Sequence, residues 1–196
     1  AVELRRPFFV YLAYNAPHFP LQAPSNAIAR FRGRYMEGWD VLRERRLARQ
    51  RELGLWSGPV ALAPRPPSVR PWAELGAAER DRFDHLMAVY AACVHLMDAA
   101  IGRFVDRLAQ LGVLDNTVLF FLSDNGGNAE SGPDGRSEGD PTTGRSNWFC
   151  GESWALLQNT PFRRYKHYVH EGGIATPLIV HWPAGIREPG RWVHAP

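Results

Sequence analysis

An aspartate and an asparagine stand side by side at positions 124 and 125, after an apolar run and before two glycines. A carboxylate and an amide oxygen are hard ligands, which suit Ca²⁺ or Mg²⁺ and are poor for Zn²⁺. Gly126 and Gly127 allow the backbone to turn sharply beside a ligand. The pattern therefore indicates a metal site at Asp124 and Asn125. A hairpin turn is the alternative, because Asn-Gly is a favoured hairpin dipeptide.

A histidine and a lysine supply further side chains that could do chemistry. His18 lies in residues 15–20, where two prolines favour an extended loop. Lys166 offers a compact positive charge that could meet a substrate oxyanion. For an isolated lysine or histidine a structural role is the more common one. A zinc pair from His167 and His170 has no further Cys or His spacing to support it.

Three apolar runs predict the strands that would position these side chains, over residues 7–14, 117–123 and 176–182. Uniformly apolar runs are typical of strands buried on both faces of a parallel sheet. His18 follows the first run and Asp124 the second, and ligands in open α/β sheets bind beyond the carboxyl ends of strands. The sequence therefore predicts an α/β domain whose sheet is mainly parallel, with the site at one edge.

The remaining segments predict two helices and two irregular regions. Residues from about 38 to 53 look helical, and a stripe of apolar residues from Phe83 to Leu111 predicts a long helix over about 77–111, ended by Gly112. Such a stripe could mark a coiled coil, but a helix packed on a sheet is the more common origin. The Pro-rich stretch 54–71 predicts a surface loop, and residues 126–160 a long loop with little regular structure.

Composition narrows the classes of function. The chain has 196 residues, of which 45% are hydrophobic and 22% charged, which suffices for one globular domain. The net charge of +3 comes from arginines scattered among acids, without the basic stripe of a nucleic-acid-binding protein. No apolar run approaches the roughly 20 residues of a membrane span. Both ends look cut, so the lack of a signal peptide says nothing about the parent protein.

Three segments occur in the order found in one known family: PFFVYLAYNAPHFPLQAP (7–24), NTVLFFLSDNGG (116–127) and NTPFRRYKHYVHEGGIATPLIVHWPAGI (159–186). This ordered set resembles the sulfatase family, of the bacterial-like arylsulfatase type, within the alkaline-phosphatase-like superfamily. The resemblance implies a three-layer α/β fold with a mainly parallel sheet and flanking helices. We expect residues 1–196 to be a partial sulfatase catalytic domain, incomplete at both ends.

The resemblance also implies roles for single residues. Asp124 and Asn125 match the second pair of metal ligands, normally to Ca²⁺, with Mg²⁺ possible. His18 matches the histidine that contacts the sulfate and the leaving-group oxygen, and Lys166, five residues before Glu171, matches the sulfate-binding lysine. The implied substrate is a sulfate-ester small molecule or a sulfated glycan, whose alcohol the sequence does not identify. The implied location is periplasmic or extracellular, and the oligomeric state is open.

One departure from the family pattern is large. The family's first metal-binding aspartate pair and its nucleophile motif, Cys or Ser-x-Pro-x-Arg, lie upstream of the matched segments. Neither Cys93 nor Cys150 fits that motif. We therefore expect the formylglycine nucleophile in a missing N-terminal part, a missing C-terminal subdomain, and a fragment that is inactive alone. A phosphate or phosphonate ester hydrolase of the same superfamily, and a non-catalytic metal-binding or helix-pairing module, are the alternatives.

Overall fold

The computed structural model describes residues 6–193, and its long elements are helices. These residues contain five α-helices, which are α1 Ser25–Ala29, α2 Gly38–Glu52, α3 Ala77–Gln110, α4 Gly151–Gln158 and α5 Glu171–Ile174. Four short strands accompany them, namely β1 Leu119–Leu122, β2 Arg136–Glu138, β3 Asn147–Phe149 and β4 Leu178–His181. Short 3₁₀ turns occupy Trp72–Glu74 and Leu114–Asn116.

The two helices expected from the sequence are confirmed. At the start of α3 the carboxylate of Glu79 accepts a hydrogen bond from the backbone N–H of Gly76 at 3.0 Å. The helix ends before Gly112, whose φ of +68° suits glycine. By length and composition alone α3 would also suit a membrane span, but core helices of other proteins meet the same criteria. Its side chains at Phe83 and Leu86 are buried in the protein core.

Four aromatic side chains form the centre of this core. Trp39 of α2 packs edge to face against Trp72, Phe83 and Trp154, with ring centroids 4.8, 4.9 and 5.4 Å away. Edge-to-face contacts stabilise such pairs beyond the burial of their area. Each indole N–H also has a carbonyl acceptor, as in the 2.9 Å bond from Trp154 to Phe83. The cluster holds α2, α3 and α4 together.

A buried carboxylate joins α3 to the loop before α2. Asp84 is 1% exposed and accepts the backbone N–H groups of Gly33 at 2.9 Å and Tyr35 at 3.0 Å. Arg32 forms an ion pair with the same carboxylate. A buried charge is tolerated when it is paired and hydrogen-bonded in this way.

The expected mainly parallel three-layer sheet is wrong for residues 6–193. The strands form two separate antiparallel pairs, β1 with β4 and β2 with β3, and no parallel pair occurs in this part of the chain. In the first pair Leu119 lies opposite His181 and Leu122 opposite Leu178. An apolar run indicates a strand but not its partner or direction, and the partner of β1 lies far along the chain. The alternative of a hairpin closed at residues 124–127 is also wrong, because β1 pairs with β4 and not with a strand directly after this turn.

The predicted burial of the apolar runs on both faces is wrong as well. Residues 7–14 form no helix or strand, and their side chains are exposed, with Phe9 at 91%. In β1 and β4, Phe120 and Leu178 are 62% and 58% exposed. The later part of the α3 stripe, including Ile101, lines the cleft beside these segments rather than covering a sheet.

Of the two irregular regions, one is confirmed and one is not. Residues 54–71 contain no helix or strand, although Val69 is fully buried. Residues 126–160, expected to be a long loop, contain β2, β3 and α4. Trp148 of β3 and Trp154 of α4 explain the difference, because both side chains are buried in the hydrophobic core and anchor these two elements there.

Candidate active site

The loop that holds His18 is anchored on β3. The ring of Phe19 stacks on that of Phe149 with centroids 4.0 Å apart, and the N–H of Leu21 donates to the carbonyl of Trp148 at 2.9 Å. Within the loop the N–H of His18 donates to the carbonyl of Asn15 at 2.7 Å. The imidazole of His18 itself is exposed, so the loop is fixed while the ring faces solvent.

The segment that holds Lys166 is braced by a buried asparagine directly after α4. Asn159 is 8% exposed, its side-chain oxygen accepts the N–H of Gly127 at 2.7 Å, and its NH₂ donates to the carbonyl of Arg164 at 3.0 Å. The N–H of Lys166 donates to the carbonyl of Gly127 at 3.1 Å. These bonds tie the lysine segment to the residues that follow β1.

Glycines allow residues 126–127, after β1, to approach residues 172–173 of α5 closely. The N–H of Gly126 donates to the carbonyl of Gly173 at 3.0 Å. A Cβ added to Gly126 would lie 1.8 Å from the carbonyl oxygen of Gly172, and one added to Gly172 would lie 2.0 Å from that of Arg164. Only residues without a side chain fit this crossing. Both Gly-Gly pairs of the sequence therefore belong to one structural contact.

Lys166 also lies between two residues with an unfavourable backbone. Arg164 has a φ of 69° and His167 a φ of 78°, a region that non-glycine residues rarely adopt. Each such residue costs on the order of 1–3 kcal/mol, and strain of this kind concentrates at binding and active sites. The ring of Tyr165, which is 2% exposed, anchors the strained segment in the core.

The structure brings Lys166 and His18 into direct contact, with Nζ 3.1 Å from Nε2. An ammonium has only donors, so Nε2 of His18 must accept this hydrogen bond. The proton of the neutral imidazole then resides on Nδ1, which donates to the carbonyl of Phe19 at 2.7 Å. In this arrangement His18 is neutral, and its Nε2 accepts a hydrogen bond from the ammonium of Lys166.

Two further residues belong to the cluster: Glu130 was not identified from the sequence, and His167 was considered only as half of a zinc pair with His170. Glu130 Oε1 lies 2.6 Å from Nε2 of His167 and 3.8 Å from Nζ of Lys166. The hydrogen bond from His167 lowers the pKa of Glu130 from its ordinary value, with a smaller contribution from the charge of Lys166. Glu130 lies in the segment expected to be an irregular loop, and its spacing gave no signal.

Composition does contain one signal for Lys166. It is the only lysine of the chain, and the other 22 of the 23 basic side chains are arginines. Lysine is a compact point charge on a flexible stem, whereas arginine is a planar fork of five donors. Lys166 is therefore the one position in the chain that offers an ammonium rather than a guanidinium.

Asp124 and Asn125 line the same cleft, of about 2060 Å³, as His18 and Glu130. Their oxygens suit a hard cation in kind, but such a cation takes about six to eight ligands. Within residues 6–193, no three His, Cys, Asp or Glu side chains lie close enough together to hold a metal ion. Asp124 and Asn125 thus fit as two ligands of a shell that needs others.

The ammonium of Lys166 contacts the imidazole of His18, which lines the open cleft. Comparison with known proteins identifies the family of the chain. The profile of the Sulfatase family matches residues 1–195. An uncharacterized sulfatase of Schizosaccharomyces pombe is 39% identical over 200 residues, covering 94% of this chain and 36% of that protein. An arylsulfatase of Klebsiella aerogenes is 36% identical over 203 residues, covering 97% and 43%.

The chain belongs to the sulfatase family, which confirms the resemblance. It spans less than half the length of these two relatives. The likeness to human N-acetylgalactosamine-6-sulfatase is more local, 30% identity over 112 residues, which are 57% of this chain and 16% of that protein.

Proposed function

We propose that this chain is part of a metal-dependent, arylsulfatase-like hydrolase of sulfate esters. The contact between Lys166 Nζ and His18 Nε2 supports this proposal most directly, because it joins a cation and a proton-accepting ring at 3.1 Å. His18 and Asp124 line the same cleft, and the chain belongs to the sulfatase family.

Lys166 would bind the sulfate group and neutralise the charge that develops on its oxygens. As the ammonium turns toward the substrate, Nε2 of His18 is released from its hydrogen bond. That nitrogen, which belongs to an exposed ring, can then take up a proton from solvent and deliver it to the leaving alcohol oxygen. The bond from Nδ1 to Phe19 keeps the ring oriented throughout.

Asp124 and Asn125 would hold a hard cation, Ca²⁺ or Mg²⁺, which when bound polarises the sulfate oxygens. The chain has no Cys-x-Pro-x-Arg or Ser-x-Pro-x-Arg sequence. The proposal therefore places the nucleophile, a formylglycine, outside these 196 residues, and this chain supplies the part of the site that binds sulfate and handles the proton.

The lone lysine gives a direct test of anion binding. A chain labelled with ¹⁵N-lysine has a single side-chain signal, from Lys166, and methyl sulfate is titrated against it at low salt. We expect a saturable shift of this signal, and a matching heat of binding that disappears in Lys166→Met and decreases in His18→Phe. Gln110→Met, at the end of α3, is the control for an unrelated polar-to-methionine change. A signal that does not move at saturating methyl sulfate would contradict the proposal.

A further inference from the structure

A carboxylate lies beside the lysine of the proposed anion site. Glu130 Oε1 is 3.8 Å from Nζ of Lys166, and both are accessible from solvent, with side chains 36% and 23% exposed. A negative charge at this place weakens the binding of every anion. This weakening is greater for an anion of higher charge.

We propose that Glu130 is a specificity-determining residue, whose charge favours singly charged sulfate esters over doubly charged phosphate esters. The inference rests on the proposed function, since it concerns the same anion site. A sulfate monoester bears one negative charge, whereas a phosphate monoester bears two above a pH of about 6. Lys166 alone would attract the phosphate ester more strongly, and a neighbouring carboxylate reduces this advantage because it repels the dianion twice as strongly.

His167 holds Glu130 in place independently of the lysine. Its Nε2 lies 2.6 Å from Oε1 of Glu130, and its backbone is fixed at a φ of 78°. When Lys166 turns toward a substrate, the carboxylate therefore keeps its position. The hydrogen bond from His167 lowers the pKa of Glu130, so the group is ionised at neutral pH.

Arg164 and His18 do not compensate for the negative charge of Glu130. The guanidinium of Arg164, next but one to Lys166, lies over the ring of Tyr168, 4.8 Å from its centroid. His18 is neutral in the observed contact, because its Nε2 accepts from Lys166. The charge of Glu130 offsets part of the charge of Lys166, which reduces the preference for a dianion.

The size of the effect follows from Coulomb's law. An anion on the far side of Lys166 would lie about 6 Å from the carboxylate, in surroundings of effective dielectric constant about 40–80 because the group is partly exposed. One additional charge at that distance changes the binding constant about three- to tenfold. Removal of the charge of Glu130 should raise affinity for the dianion by this factor more than affinity for the monoanion.

Calorimetric titrations with methyl sulfate and methyl phosphate at pH 8 and low salt test the inference. In Glu130→Gln the ratio of phosphate to sulfate affinity should rise about three- to tenfold. Glu130→Asp keeps the charge and should keep the ratio of the unmodified chain. Glu52→Gln, which removes a carboxylate that pairs with Arg49 at the end of α2, should change neither affinity.

The outcomes separate the two proposals. Equal changes for both ligands in Glu130→Gln, or a change in favour of sulfate, overturn the role of Glu130 and leave the sulfate-binding site intact. Absence of methyl sulfate binding in the unmodified chain overturns both. Tryptophan fluorescence and the single ¹⁵N-lysine signal verify that each variant is folded. The Glu130 variants are expected to fold, because the side chain of Glu130 is partly exposed.

Discussion

Gly126→Ala tests whether the crossing of the two glycine pairs holds the site together. The new Cβ would lie 1.8 Å from the carbonyl oxygen of Gly172 and 2.8 Å from its carbonyl carbon. Both atoms belong to backbone and have no rotamer by which to move away. The segment after β1 must therefore separate from residues 172–173, which breaks the 3.0 Å bond from Gly126 to Gly173.

Two contributions set the expected loss of stability. Overpacking against fixed atoms costs about 1–3 kcal/mol, and a lost backbone hydrogen bond about 1 kcal/mol. Gly126→Ala should thus lower the free energy of unfolding by about 2–4 kcal/mol. Lys166 is tied to the neighbouring Gly127, so the shift of its ¹⁵N signal with methyl sulfate should also decrease.

Gly102→Ala is the matched control, since no atom lies within 4 Å of a Cβ added there. Gly102 is inside α3, where alanine is favoured over glycine by about 1 kcal/mol, so this variant should be more stable. Urea unfolding followed by tryptophan fluorescence measures both changes. If Gly126→Ala loses less than about 0.5 kcal/mol, the range of a typical surface substitution, the close crossing is not present in solution.

Two further predictions concern the support of the core. Asp84→Ala leaves the N–H groups of Gly33 and Tyr35 without their acceptor, and it should lower the free energy of unfolding in urea by about 3–5 kcal/mol. Asp81→Ala is the control, because the side chain of Asp81 is 64% exposed, and its loss should be about 0–1 kcal/mol. Burial, and next the charge of Arg32, lower the pKa of His85. Stability that is fully present above the unfolded pKa of about 6.5 should therefore be lost progressively as pH falls from that value toward the lower pKa of the folded state. His85→Gln should flatten this decline in urea midpoints between pH 8 and 5, and an unchanged slope would contradict the assignment.

The helices could be predicted from the sequence, while the sheet could not. The bounds of α3 follow from local signals, a period of apolar residues and Gly112 at the end. The runs at 117–123 and 176–182 do contain strands, β1 and β4. Their antiparallel pairing depends on which segments meet in space, and apolar composition alone does not specify direction.

The candidate site divides in the same way. The types of Lys166 and His18 suggested anion chemistry, and the structure places them in contact. Glu130 was missed because its position depends on contacts with residues 166 and 167, far along the chain. No role was predicted for Asn159, although its buried side chain accepts a hydrogen bond from Gly127. Long-range contacts of this kind leave no periodic pattern in a sequence.

The position and the selectivity of the site depend on different interactions. Lys166 is positioned by backbone bonds to Gly127 and by the buried side chain of Asn159, which salt does not weaken appreciably. The charge of Glu130 acts through partly exposed groups, where salt screens the interaction over about 8–10 Å. Raising the salt concentration should therefore reduce the discrimination between methyl sulfate and methyl phosphate while the contact of Lys166 with His18 persists. Salt should weaken the discrimination between the two ligands but not the hydrogen bonds that position Lys166. The position of Lys166 and the selectivity of the site can therefore be measured separately in one protein.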